Sequence, residues 1–162
     1  SKEFIRPMRK VLTLILFFCI GLLATAYYME YQLGLEPCAM CIIQRIAIAL
    51  AGLAALVGII HNQHPKIYFS LTGLFSVGGA ASAIRHLYLQ SLPADQVPTC
   101  GPDLSYLIDQ SYFSDALRMM LIGDGNCAEV MWSLLGISIP GWVLICCLGI
   151  ISLSTLALYK RI

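Results

Sequence analysis

The sequence predicts an all-α membrane protein, a four-transmembrane-helix bundle formed as one membrane domain over residues 1–162. Three observations predict it. Only 12% of the residues are charged and 59% are hydrophobic, whereas about a quarter of a soluble domain is charged. Four stretches are long enough to cross the hydrocarbon layer, which takes about 20 apolar residues as a helix. The basic residues gather on one side of those stretches and the acidic ones on the other.

The spans follow from the absence of charge. Residues 11–29 hold no Asp, Glu, Lys or Arg. Residues 41–60 are apolar apart from Gln44 and Arg45 at their start. Residues 67–89 are apolar until Arg85 and His86, and residues 137–159 carry no charge. Soluble helices of this length keep a polar face, and these have none. Ala24-Thr25-Ala26 resembles a signal-peptide cleavage site. The apolar stretch before it exceeds the usual ~7–15 residues of such a segment, so the first span is expected to remain in place. The net charge of +1 gives no case for nucleic acid; the partner that composition implies is the lipid bilayer.

Orientation follows from the basic residues, which favour the cytoplasmic side. Lys2, Arg6, Arg9 and Lys10 precede the first span, Lys66 sits in the link between the second and third, and Lys160 and Arg161 follow the fourth. With four spans all of these fall on one side, so both termini are expected to be cytoplasmic. The opposite loops, approximately residues 30–40 and 90–136, hold Glu30, Glu36, Asp95, Asp103, Asp109, Asp115, Asp124 and Glu129 against one clear basic residue, Arg118. In the longer loop, Leu104, Leu107, Ile108, Tyr112, Leu117 and Met120 recur among polar residues, the pattern of a short amphipathic helix lying on a membrane. Pro93, Pro98, Gly101, Pro102, Gly123 and Gly125 mark irregular chain around it.

Cys19, Cys146 and Cys147 lie within spans one and four, where free cysteine acts as a small buried hydrophobe. Cys38, Cys41, Cys100 and Cys127 all fall on the outer side, where disulfides persist. Cys38-Ala39-Met40-Cys41 is a C-x-x-C motif, which serves as metal ligand, redox pair or staple. Zinc sites of this kind pair the motif with a second C-x-x-C or with His at set spacing, and the sequence shows neither, so no metal is expected. Pro37 precedes the motif, so the two cysteines cap or open the second span, where the helix dipole favours thiolate. Arg45 follows Cys41 by four residues and shares its helix face. A cation there stabilises a Cys41 thiolate or an anionic electron acceptor, or else snorkels to the interface. His86 ends the third span at matching depth, as an anchor or as part of the same polar spot. Cys100 and Cys127 stand in the Gly/Pro-rich loop, as a redox pair or a plain staple.

Three stretches resemble one family. Glu36-Pro37-Cys38-Ala39-Met40-Cys41-Ile42-Ile43-Gln44-Arg45 is similar to the family's start of span two, and Arg85-His86-Leu87-Tyr88-Leu89-Gln90-Ser91-Leu92-Pro93 to its exit from span three. Gly123-Asp124-Gly125-Asn126-Cys127-Ala128-Glu129-Val130-Met131-Trp132, with Leu135-Gly136 and Pro140-Gly141-Trp142, is similar to the approach to span four. The chain resembles DsbB, the bacterial inner-membrane disulfide oxidoreductases, over nearly its whole length. The resemblance implies that Cys100 and Cys127 form the disulfide that oxidises a soluble periplasmic thiol oxidase, DsbA. It implies that Cys38 and Cys41 pass the electrons to a membrane quinone, ubiquinone or else menaquinone, and that Arg45 and His86 lie beside it. Gln44 stands where the family often has an acidic residue, and the loop between Cys100 and Cys127 departs from the best-known members.

Three other readings remain. An enzyme of the vitamin K epoxide reductase type has its loop pair before the C-x-x-C, the reverse of the order here. A metal-binding or assembly protein would use Cys38 and Cys41 as ligands. A related membrane thiol oxidase would serve a different periplasmic partner.

Overall fold

The computed structural model describes residues 2–159 of the chain. Lys160 and Arg161, two of the basic residues used for orientation, lie outside the described residues. Four long helices, α1 (Lys2–Tyr31), α2 (Ala39–His61), α3 (Pro65–Ser91) and α6 (Ile139–Tyr159), form the bundle. Each holds a stretch long and apolar enough to cross a membrane: Pro7–Tyr31, Ala39–His61, Pro65–Ser91 and Ile139–Tyr159. The first three run a few residues beyond the stretches free of charge, because a helix continues past the hydrocarbon boundary until a cap or a proline stops it. The fourth starts two residues later than expected, because a hairpin occupies those residues.

Neighbours in sequence are neighbours in space. α1 packs on α2, α2 on α3, and α3 on α6. The core joins Leu12, Ile15 and Cys19 of α1, Ile48, Ala51 and Ala55 of α2, Phe69 of α3 and Ile150 of α6. Much of this seam is small, as expected where lipid supplies no hydrophobic drive and close van der Waals approach must hold the helices. Cys19 packs against Gly52, and Cys147 against Gly79. Thr72 and Ser154, both buried, share a 3.0 Å hydrogen bond between α3 and α6. Outward, Leu14, Phe17, Leu53, Leu74 and Leu148 are exposed, a surface made for acyl chains. This is a multi-pass membrane protein.

The long loop differs from expectation in one respect. Instead of a single helix over 104–120 there are two, α4 (Leu104–Asp109) and α5 (Phe113–Ile122). Ser111 adopts a left-handed conformation, φ 62°, between them. The Tyr112 N–H turns back to the Leu107 carbonyl at 2.8 Å, which ends the first helix. α5 rests on α2 and leaves Phe113, Leu117 and Leu121 exposed. These sit four residues apart, an apolar stripe of the kind that lies on lipid. A hairpin, β1 (Ser133–Leu134) paired antiparallel with β2 (Ile137–Ser138), leads into α6. The Ser138 hydroxyl donates to Gln90 Oε1 at 2.8 Å and ties this hairpin to the end of α3.

Candidate active site at the mouth of the bundle

The C-x-x-C opens α2. Cys38 is the N-cap, with extended backbone at φ −80° and ψ 172°. The proline before it fixes its own φ and cannot continue a helix backwards. The Cys41 N–H donates to the Cys38 carbonyl at 3.0 Å. One helical turn separates the residues, so their sulfurs face the same way, 3.8 Å apart. Arg45 follows one turn further along that face and lines the same cleft as Cys41.

α3 brings His86 to this point. It is buried, with Nε2 3.7 Å from Cys38 Sγ and Nδ1 3.3 Å from the Gln44 amide nitrogen. The Gln44 amide also reaches Ser82 Oγ at 3.4 Å. A Gln44 amide donating to Nδ1 leaves the proton of a neutral ring on Nε2, facing the Cys38 sulfur. Gln44 is itself buried, and the sequence reading marked it only as a departure from the family. Its place here follows from helical spacing, three residues after Cys41.

The Arg45 guanidinium is held from the other side. It donates to Glu30 Oε2 at 2.9 Å and to the Ala26 carbonyl at 3.4 Å, and it lies 4.8 Å from the centre of the Tyr27 ring. All three partners are on α1. Sequence reading missed Glu30 and Tyr27 as site residues. The available signal was a lone acidic residue at the end of an otherwise uncharged span.

The long loop delivers Cys127 into the same site. Cys127 is fully buried, packed with Met40 and Leu89 and against Cys38. Two glycines make this placement possible. A Cβ on Gly125 would lie 2.5 Å from the Pro98 carbonyl oxygen, so only glycine lets the two strands of the loop touch. A Cβ on Gly123, at φ 88°, would strike Leu89 and Met40. Asp124 accepts from the Asn126 N–H at 3.0 Å and starts the turn that carries Cys127 inward. Contact with the Cys38 thiol, then burial, hold the Cys127 thiol above its ordinary range. For Cys38, the Cys127 contact lowers the pKa, but the Cys41 contact and burial outweigh it and push the thiol up to about 12.

Cys100 is exposed at the outer surface of the loop, and every cysteine is a free thiol. The structure thus brings Cys38, Cys41, Arg45, His86 and Cys127 together and leaves Cys100 at the rim beside Gly125. Of the two pairings that the family resemblance implied, Cys38 and Cys41 have their sulfurs 3.8 Å apart.

The sequence profile described as "DsbB: Disulfide bond formation protein DsbB" matches residues 8–157. The chain belongs to the DsbB family. It is 49% identical to Disulfide bond formation protein B of Hahella chejuensis over 146 residues, 87% of each chain. It is 49% identical to the protein of that name from Saccharophagus degradans over 139 residues, 84% of each chain. It is 35% identical to Disulfide bond formation protein B 1 of Pseudomonas aeruginosa over 156 residues, 94% of this chain and 96% of that one. Membership in the DsbB family implies disulfide oxidoreductase activity.

A cleft of about 850 Å³, its open mouth included, adjoins this DsbB-family cluster. Small-molecule sites combine apolar walls with a few polar groups. Here Leu22, Leu23, Ile48 and Val143 form walls, and Cys41, Arg45 and His86 stand at one end. The cleft therefore pairs apolar walls with polar side chains at one end.

Proposed function

We propose that this protein is a quinone-dependent disulfide oxidoreductase of the bacterial inner membrane. It reoxidises a periplasmic DsbA-type thiol oxidase and passes the electrons to ubiquinone, or menaquinone where that is the membrane's quinone. Both termini are then cytoplasmic, and the four cysteines of the relay face the periplasm. The observation that carries the reading is the burial of Cys127 against Cys38, which gives a loop pair and a membrane pair a common point of exchange.

The steps begin with both pairs oxidised. A partner thiolate attacks Cys100 Sγ at the exposed rim, the Cys100–Cys127 bond breaks, and Cys127 leaves as the thiolate. Cys127 then attacks Cys38 Sγ, and Cys41 leaves. The partner's second thiolate releases Cys100 and closes the partner's disulfide. Cys100 attacks Cys127, restoring the loop disulfide and leaving Cys38 and Cys41 as the reduced pair. Arg45, held by Glu30, keeps a positive charge beside the Cys41 sulfur, and His86 holds Cys38 in line through Nε2. A bound quinone supplies the two-electron acceptor that returns Cys38 and Cys41 to the disulfide.

The test separates the two pairs. With Cys100 and Cys127 both changed to Ser, dithiothreitol should still reduce quinone through Cys38 and Cys41, while oxidation of a reduced DsbA-type protein should stop. With Cys41→Ser, one round of partner oxidation should remain and turnover should cease. Normal oxidation of the protein partner by the Cys100/Cys127 double variant would overturn the relay.

A further inference from the structure

We infer that the reduced site is also a binding site for one zinc-class divalent cation, with Cys38 Sγ, Cys41 Sγ and His86 Nε2 as ligands, and that the bound ion switches the protein off. The inference rests on the redox reading of Cys38 and Cys41 and adds a ligand that inhibits that same pair.

The donor set has the right chemistry: two thiols and an imidazole are ligands that zinc, cadmium and cobalt prefer over carboxylate or water. The geometry is close to what the ion imposes. Bonds of about 2.3 Å to sulfur and about 2.0–2.1 Å to nitrogen, at tetrahedral angles, place two sulfurs about 3.8 Å apart and sulfur about 3.6 Å from nitrogen. Cys38 Sγ and Cys41 Sγ are 3.8 Å apart, and Cys38 Sγ is 3.7 Å from His86 Nε2. The three ligand atoms all lie within 4.8 Å of one another. Two of the tetrahedron's edges are therefore already set, and closing the third takes only a small side-chain adjustment. The fourth position opens toward the cleft, which Cys38, Cys41 and His86 all line.

The outer shell fits as well. A metal-bound imidazole needs its other nitrogen held, and the Gln44 side-chain amide lies against His86 Nδ1 at 3.3 Å. With that amide turned to present its oxygen, Nδ1–H donates to Gln44 and the Nε2 lone pair faces the ion. The reaction is an exchange of protons for metal: two thiols and one M²⁺ give a bis-thiolate complex and two protons. No electrons move, so the sulfurs remain reduced and unavailable for disulfide exchange or for donation into the cleft. Removal of the ion by a chelator restores the dithiol. The oxidised pair, a disulfide, has lost both thiolates and holds no ion.

The experiment uses the full chain in detergent, reduced and then freed of reductant without oxygen. Zn²⁺ content after desalting gives the stoichiometry, and Co²⁺ gives thiolate-to-metal charge-transfer absorption. One ion per reduced chain and none per oxidised chain are expected. Cys38→Ser or Cys41→Ser should abolish the charge-transfer band, while Cys100→Ser should leave it intact. Gln44→Leu should weaken binding about 10–100-fold, as loss of an outer-shell partner does. Reduction of added quinone by the pre-reduced chain, with no external thiol present, should stop at one Zn²⁺ per chain and return with a chelator such as EDTA. Failure of the reduced chain to retain the ion would overturn the inference, as would a band that survives both Cys38→Ser and Cys41→Ser or is insensitive to His86→Leu. Turnover without metal retention would sink the metal site alone. Metal retention without any quinone-dependent turnover would instead sink the redox reading.

Discussion

The Arg45 guanidinium and the Glu30 carboxylate meet at 2.9 Å across the α1–α2 interface, both half-buried near the mouth of the bundle. A cation at the edge of the apolar layer is costly unless paired. The pair fixes which way the guanidinium fork points. Arg45→Met should raise the apparent quinone KM about tenfold or more, the loss of roughly 1.4 kcal/mol or more. Arg45→Lys keeps the charge without the planar fork and should fall between. Glu30→Gln should raise the same KM by a smaller factor and leave single-turnover exchange at Cys100 unchanged. If Arg45→Met impaired only exchange with the protein partner, the guanidinium would have been assigned to the wrong half of the relay.

Gly125 sets the position of Cys127. Alanine there places a methyl group 2.5 Å from the Pro98 carbonyl oxygen, a backbone atom that cannot swing aside. Shifts of this kind cost about 1–3 kcal/mol. Gly125→Ala should slow oxidation of the protein partner at least several-fold and spare dithiothreitol-driven quinone reduction. Quinone reduction assayed with each donor checks it; oxidation of the protein partner at the parent rate would show that Gly125 does not set the placement of Cys127.

Alkylation should distinguish the loop cysteines in the reduced protein. Cys100 is exposed, whereas Cys127 is buried with its thiol held up by Cys38 contact and burial. The thiolate is the reactive form, so a short pulse of iodoacetamide near neutral pH should modify Cys100 first. Raising the pH toward 9 should not bring Cys127 level with it, because the raised pKa keeps Cys127 protonated there. Peptide mass spectrometry after timed quenching measures both. The same pulse with a membrane-impermeant reagent in intact cells tests sidedness, which labelling from the cytoplasm alone would reverse.

Cys19, Cys146 and Cys147 lie in the helices away from the cleft, and Cys19 and Cys147 pack against Gly52 and Gly79. Replacing all three with Ala removes little volume and no redox partner. Turnover should stay within a few-fold of the parent, read as quinone reduction by a reduced protein partner. A folded but inactive triple variant would reveal a redox site within the bundle.

Much of the molecule was legible in its one-dimensional pattern. The charge-free runs define four spans because lipid tolerates no unpaired charge across its thickness. Cys38, Cys41 and Arg45 are legible together because helical spacing alone puts them on one face. Where local signals compete, the reading was coarser: the apolar period over 104–120 continues through Ser111, yet the backbone breaks there into α4 and α5.

What sequence could not decide is every contact made between elements distant along the chain. Glu30 and Arg45, Gln44 and His86, and Cys38 and Cys127 stand on different elements, and no local rule sets their distance. The absence of a His at zinc spacing argued against a metal ligand set in the sequence. α3 then packs on α2 and places His86 Nε2 3.7 Å from Cys38 Sγ. The residue types and their order along each helix were determined by the sequence through periodicity and solvation. Which faces meet was decided only by tertiary packing, because small residues at the seams let the helices approach and two glycines in the loop let Cys127 reach the interior.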